Sequence, residues 1–220
     1  MRFHRSIAAA TFSLVPVLAV AQDEPPSRFD VGVRGVVLLS KGQPANDMVG
    51  KGLVARWRLR DQWHLGASYD TVTFDYETPN RELGIASASV VDGLNEWSRT
   101  SIFVERRHET PRTWDWFWRA GVGFASLDRI DNVTGTRVGG GTFEIVTVAD
   151  DEVHVFAGGG LRRRLGGNWA FDAALTFEHH STDYRLTDVV SGTRGTIGTQ
   201  TPYGLTLGVS YGFGRDSRSR

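Results

Sequence analysis

The sequence predicts an all-β protein: an eight-stranded antiparallel up-and-down β-barrel that crosses a membrane with its strands. Apolar and polar residues alternate with period two in eight separate segments, the signature of strands with two unlike faces. The connections between those segments alternate short and long, as consecutive hairpins require. Past residue 21 the chain has no helix-length apolar run.

Composition bounds the alternatives. A chain of 220 residues that is 40% hydrophobic and 11% aromatic is too apolar for disorder. Its 25 basic and 25 acidic residues cancel, which argues against a nucleic-acid binder. The absence of cysteine excludes a disulfide scaffold, thiolate catalysis and Cys-containing zinc modules. Lys41 and Lys51 are the only lysines.

Residues 1–21 read as a cleaved signal peptide. Arg2 and Arg5 precede an apolar stretch over Ile7 to Val20, and Ala19-Val20-Ala21 gives a small-residue exit before Gln22. That order is the export signature. A permanent helical anchor needs about 18 or more apolar residues, and Pro16 interrupts this one. Its removal leaves 23 basic against 25 acidic residues. The barrel is expected over 22–213, with a short periplasmic tail over 214–220.

The strands follow in order. Phe29, Val31, Val33, Val37 and Leu39 oppose Asp30, Gly32, Arg34, Val36 and Leu38. Leu53, Ala55, Trp57 and Leu59 oppose Val54, Arg56, Arg58 and Arg60. Trp63, Leu65, Ala67 and Tyr69 oppose His64, Gly66, Ser68 and Asp70. Thr100, Ile102 and Val104 face away from Arg99, Ser101, Phe103 and Glu105. The fifth strand sets Trp116, Trp118, Ala120, Val122 and Phe124 against Phe117, Arg119, Gly121 and Gly123. The sixth sets Val153, Val155, Ala157 and Leu161 against His154, Phe156, Gly160 and Arg162. Trp169, Phe171, Ala173, Leu175 and Phe177 oppose Ala170, Asp172, Ala174, Thr176 and Glu178. The last sets Tyr203, Leu205, Leu207, Val209, Tyr211 and Phe213 against Gly204, Thr206, Gly208 and Ser210.

Short turns lie at Asp61-Gln62, 108–113 and 166–168, and long loops at 40–50, 75–96, 127–151 and 181–201. All long loops therefore leave one end, and both termini share the other. In outer-membrane barrels the short turns face the periplasm. The long loops are aperiodic and rich in Gly, Thr, Asp and Asn, so no fold is assigned to them. Phe143 to Val148 in the third loop is expected to prolong barrel strands beyond the membrane.

A soluble barrel with an apolar interior would alternate in the same way. The polar face here mixes Gly, Ala and Ser with mid-strand Arg, Asp and Glu, a composition suited to a narrow lumen. The apolar face carries Trp57, Trp63, Tyr69, Trp116, Trp118, Trp169, Tyr203, Tyr211 and Phe213 near strand ends, as two membrane-interface girdles would. Five outward residues cover about 27 Å at ~3.3 Å per residue, the height of a barrel's apolar band.

Thr206, Gly208, Tyr211 and Phe213 match the polar-x-Gly-x-x-aromatic-x-aromatic pattern of outer-membrane assembly signals. On these features the chain resembles the small eight-stranded outer-membrane barrels, the OmpA-like group with its OmpX and OmpW types. Residues 57–65 look like that group's first periplasmic hairpin. The resemblance implies a Gram-negative outer-membrane location, contact with lipid and lipopolysaccharide, and insertion by the barrel assembly machinery. A structural or surface-interaction role follows, with no cofactor and no metal.

The expected lumen charges are Asp30, Arg34, Arg56, Arg58, Asp70, Arg99, Glu105, Arg119, Arg162, Asp172 and Glu178. Charges in so narrow a space must pair, and they read as a plug. One alternative is a narrow channel for small or hydrophobic compounds, OmpW-like, with inward Val36, Leu38, Val72, Phe74 and Phe156. Another is an enzyme, because His179 and Ser181 share the outward parity of Phe177. That arrangement is similar to outer-membrane lipid A deacylases, with His179 as base for Ser181. Thr182 stands where that pattern has Asn, and no acid occurs between Val189 and Arg215.

Overall fold

A computed structural model describes residues 27–39, 48–77, 90–110, 113–129, 132–137, 140–149, 151–180, 184–197 and 202–215. The leader 1–21 and the end of the tail, 216–220, lie outside them. Eight strands close a barrel: β1 (Ser27–Leu39), β2 (Met48–Arg60), β3 (Trp63–Glu77), β4 (Val90–His108), β5 (Trp114–Arg129), β8 (Glu152–Gly166), β9 (Trp169–His180) and β12 (Tyr203–Arg215). Each pairs antiparallel with its neighbour in the chain, and β1 closes on β12 from Ser27 opposite Arg215 to Leu39 opposite Tyr203. Closure leaves no strand edge, so every spanning backbone group has a partner without water.

Two tight hairpins follow from local chemistry. Gly167 and Asn168 both take positive φ, 58° and 67°, between β8 and β9. Those are the dihedrals of a type I′ turn, whose twist matches paired strands. Asp61 adopts φ 46° in the β2–β3 turn, an excursion that Asp tolerates better than most residues.

The alternation has the sense that the sequence reading assigned. Phe124 and Leu175 are each 66% exposed, while Arg56 and Glu105 are 2% and 1% exposed. A soluble barrel has the reverse arrangement. The exterior aromatics collect at two heights. Trp57, Phe29 and Phe213 lie side by side across β2, β1 and β12, and Tyr211 lies opposite Trp169. Trp63 meets Trp118 edge-to-face at 5.3 Å, and Trp116 stacks on His108 at 3.7 Å. At the loop end Phe177 meets Tyr203 edge-to-face at 5.6 Å, and Tyr69 and Phe124 flank Thr100 of β4.

The long loops differ from the expectation. Residues 142–149 do not prolong the barrel wall. The third and fourth loops build a separate four-stranded sheet from β6 (Val133–Thr136), β7 (Thr142–Ala149), β10 (Tyr184–Asp188) and β11 (Arg194–Ile197), in the order β11-β10-β7-β6. The reason is pairing across loops: β7 finds a partner in β10, from Tyr184 opposite Ala149 to Asp188 opposite Ile145. Phe143 and Ile145 are buried on this sheet, and the Phe143 ring covers Gly135 of β6.

One close approach inside the barrel sets a size limit. A Cβ at Gly66 would sit 2.2–2.7 Å from the ring of Phe103. Gly66→Val should therefore destabilise the barrel by about 1–3 kcal/mol, the usual cost of overpacking. The temperature at which the folded band is lost on an SDS gel measures this, and an unchanged temperature would refute the contact.

Candidate functional site

The charged lumen is assembled by strand parity and levelled by register. Asp30 lies opposite Arg56, and Arg162 opposite Asp172. Glu105 and Arg107 come from β4, facing the same space. Arg56 Nη1 donates to Asp30 at 2.9 Å and lies 3.4 Å from Asp172, while its Nε lies 3.3 Å from Glu105. Arg107 donates to Glu105 at 2.7 Å and to Asp30 at 3.0 Å. Arg162 Nη1 donates to Asp172 at 2.9 Å, and Ser210 donates to the same carboxylate at 3.1 Å. Three arginines thus meet three carboxylates, and the cluster is neutral.

Nearer the loops, Arg34 grips Asp70 through both oxygens, at 2.8 and 2.6 Å. Arg99 lies 3.3 Å from Asp70 and 2.5 Å from Glu178. His180 lies 3.1 Å from Glu178 through Nε2 and 2.8 Å from Glu152 through Nδ1. Trp97 stacks on His180 at 5.1 Å, and His154 stacks on it at 5.3 Å. Val36, Leu38, Met48 and Val72 are buried among the inward residues of this half. At the short-turn rim Arg58 donates to Glu109 at 3.0 Å, and Arg164 lies 3.5 Å from Asp115.

Arg107, Asp115 and Glu152 escape the sequence reading because it ends β4 too early and begins β5 and β8 too late. Parity carried on from Glu105 finds Arg107, and β8 begun one residue before Val153 finds Glu152. The expectation that every lumen charge pairs fails at Arg119. Its Nη2 donates to Thr206 Oγ1 at 3.1 Å, and its guanidinium carbon lies 5.8 Å from the Phe103 ring centroid. Among the described residues no carboxylate lies within ion-pair distance of it. A hydroxyl and an aromatic face stand in for the missing carboxylate.

Of the last-strand set, Thr206 is buried, Phe213 is exposed, and Tyr211 packs edge-to-face on Phe213 at 4.9 Å. Gly208 lies opposite Arg34 of β1 and Asp172 of β9. His179 faces outward, while Ser181 and the side chain of Phe74 lie outside the described residues. Phe156 faces inward beside Phe103, edge-to-face at 6.2 Å.

In the loop sheet Asp188 is the hub. Its carboxylate accepts hydrogen bonds from the amides of Glu144 and Val190, at 3.2 and 3.1 Å, and from the Ser191 hydroxyl at 2.6 Å. Arg137 also donates to it. Burial alone pushes the Asp188 carboxyl up, but these hydrogen bonds and Arg137 outweigh it and hold the group below the usual carboxylate range.

An apolar exterior around a charged, paired interior is stable only where the surroundings are hydrocarbon. Fold and lumen together define a small transmembrane β-barrel. Solved structures agree on the fold. The outer membrane protein OprG from Pseudomonas aeruginosa superposes with a TM-score of 0.62 at 10% identity, over 86% of this chain and 97% of that one. The Neisserial surface protein A superposes with a TM-score of 0.51 at 14% identity, over 86% of this chain and all of that one. No protein-family model and no curated protein sequence matches the chain.

Two outcomes are expected. Arg56→Met leaves three buried carboxylates sharing two arginines and should cost about 3–5 kcal/mol, as breaking a buried ion pair does. Arg60→Met, in a pair that is 86% and 78% exposed, should change stability little. Urea unfolding of the refolded barrel compares them, and equal midpoints would refute the cluster's role. Because the Asp188 carboxyl titrates below its unfolded value, its contribution is present above that value and lost as pH falls through the folded one. The loop sheet should therefore resist protease at neutral pH and open in acid, and Asp188→Asn should open it at neutral pH.

Proposed function

We propose that this protein is an outer-membrane barrel of a Gram-negative cell, closed through its middle and working through its loop end. The carrying observation is the filled cross-section. The Arg56 cluster ties β1, β2, β4, β8 and β9 together across the lumen. Above it, Val36, Leu38, Met48, Val72 and Trp97 are all at most 2% exposed. Eight strands enclose little more than their own side chains, and these fill it. That packing favours a plug over a passage for small or hydrophobic compounds.

The remaining assignments extend the same reading. Residues 1–21 direct export and are removed, and both termini stay periplasmic. The two aromatic rings mark the lipid–water boundaries. Thr206, Gly208, Tyr211 and Phe213 present the last strand to the assembly machinery. The loop sheet faces outward beside lipopolysaccharide and offers the surface for any extracellular ligand. The role is structural or interactive rather than catalytic: β12 carries no carboxylate to orient the imidazole of His179.

Planar-bilayer recording tests the closed lumen. The purified barrel should insert without discrete, steady conductance steps. Reproducible steps of one size would overturn the plug and establish a channel.

A further inference from the structure

Among the described lumen cations, one has no carboxylate partner. Arg56, Arg107 and Arg162 are matched by Asp30, Glu105 and Asp172. Arg34 and Arg99 are matched by Asp70 and Glu178, with His180 between Glu178 and Glu152. Arg119 belongs to neither group. It is 3% exposed, and its Nε has no hydrogen-bond partner among the described residues.

Arg119 lines a small cavity with Arg34, Arg56, Asp172, Ala174 and Thr206. The one carboxylate there is committed, because the Asp172 oxygens already accept from Arg162, Arg56 and Ser210. Arg34 and Arg56 at its wall are held by carboxylates of their own, so Arg119 is the cation lining the cavity that has none. A guanidinium cannot shed its charge by deprotonation, and no carboxylate among the described residues pairs with this one, which leaves its Nε–H open to an anion. The cavity has room for about one water-sized occupant, which selects a small ion. Thr206 Oγ1 accepts from Arg119 and keeps its own O–H free to donate.

We propose that the mid-lumen cavity at Arg119 binds one small inorganic anion, a halide such as chloride, held by Arg119 Nε–H and the Thr206 hydroxyl. The anion is the counter-ion of Arg119 and is part of the folded barrel.

The test uses the refolded barrel in detergent, with chloride as the probe against gluconate at equal ionic strength. Wild type should broaden the 35Cl NMR line, and its unfolding midpoint should rise with chloride concentration, as ligand linkage requires. Arg119→Met should lose the excess broadening and show a chloride-independent midpoint, lying above that of wild type in gluconate. Ala174→Val fills the cavity while keeping the charge, and should lose the broadening too. Equal broadening in wild type and Arg119→Met would assign the chloride to surface cations and overturn the site. A flat wild-type midpoint would overturn it as well. If Arg119→Met does not refold, Ala174→Val decides: full broadening in that variant refutes the cavity.

Discussion

Arg56 organises the interior. It stands on β2 and reaches carboxylates on β1, β4 and β9, strands that lie one to three places away around the barrel. A lumen this narrow has no room to hydrate its charges separately, so each must be satisfied by another strand. That requirement couples the eight strands through their middle as well as through their edges. The ladders fix which neighbours touch, and the cluster fixes the height at which distant strands stand relative to one another. A one-residue slip would send Arg56 to lipid and an apolar side chain into the charged centre.

The outer face answers the opposite demand. Leu53, Leu65, Ile102, Val122, Leu175 and Leu207 are exposed on the outer wall, and they are stable there because lipid is their solvent. Aromatic rings crowd the two ends of this band, and at the short-turn end Arg106 lies over Trp63 and Arg163 over Trp114. The strands thus read as one repeated compromise between two environments. Period two expresses that compromise in sequence.

That is why the barrel was legible and other parts were not. Alternation identifies strands wherever the two faces meet different surroundings, as along β9 from Trp169 to His180. It is weak in β6 and β10, which are four and five residues long and polar, and β10 takes one of its partners from another loop. The pairing of β7 with β10 joins residues about forty positions apart, and nothing local announces it. The lumen charges were legible as a set because parity sorts side chains by face. Their partners were not, since Arg107 meets Asp30 from 77 positions away. The isolation of Arg119 was invisible for the same reason: a missing partner is a property of the folded cross-section.

The closure of β1 on β12 has a consequence in time. The first barrel strand pairs with the last, so its free edge stays open until β12 is available to pair. The long-range ties from Asp30 to Arg107 and Arg162 mature with that same seam. A growing barrel carries two unsatisfied edges that hydrocarbon would penalise heavily. Insertion therefore has a natural order: hairpins accumulate where water or a guiding partner covers the edges, and the seam zips last. Folding is then nearly all-or-none, its slow step set by the largest loop the chain ever closes.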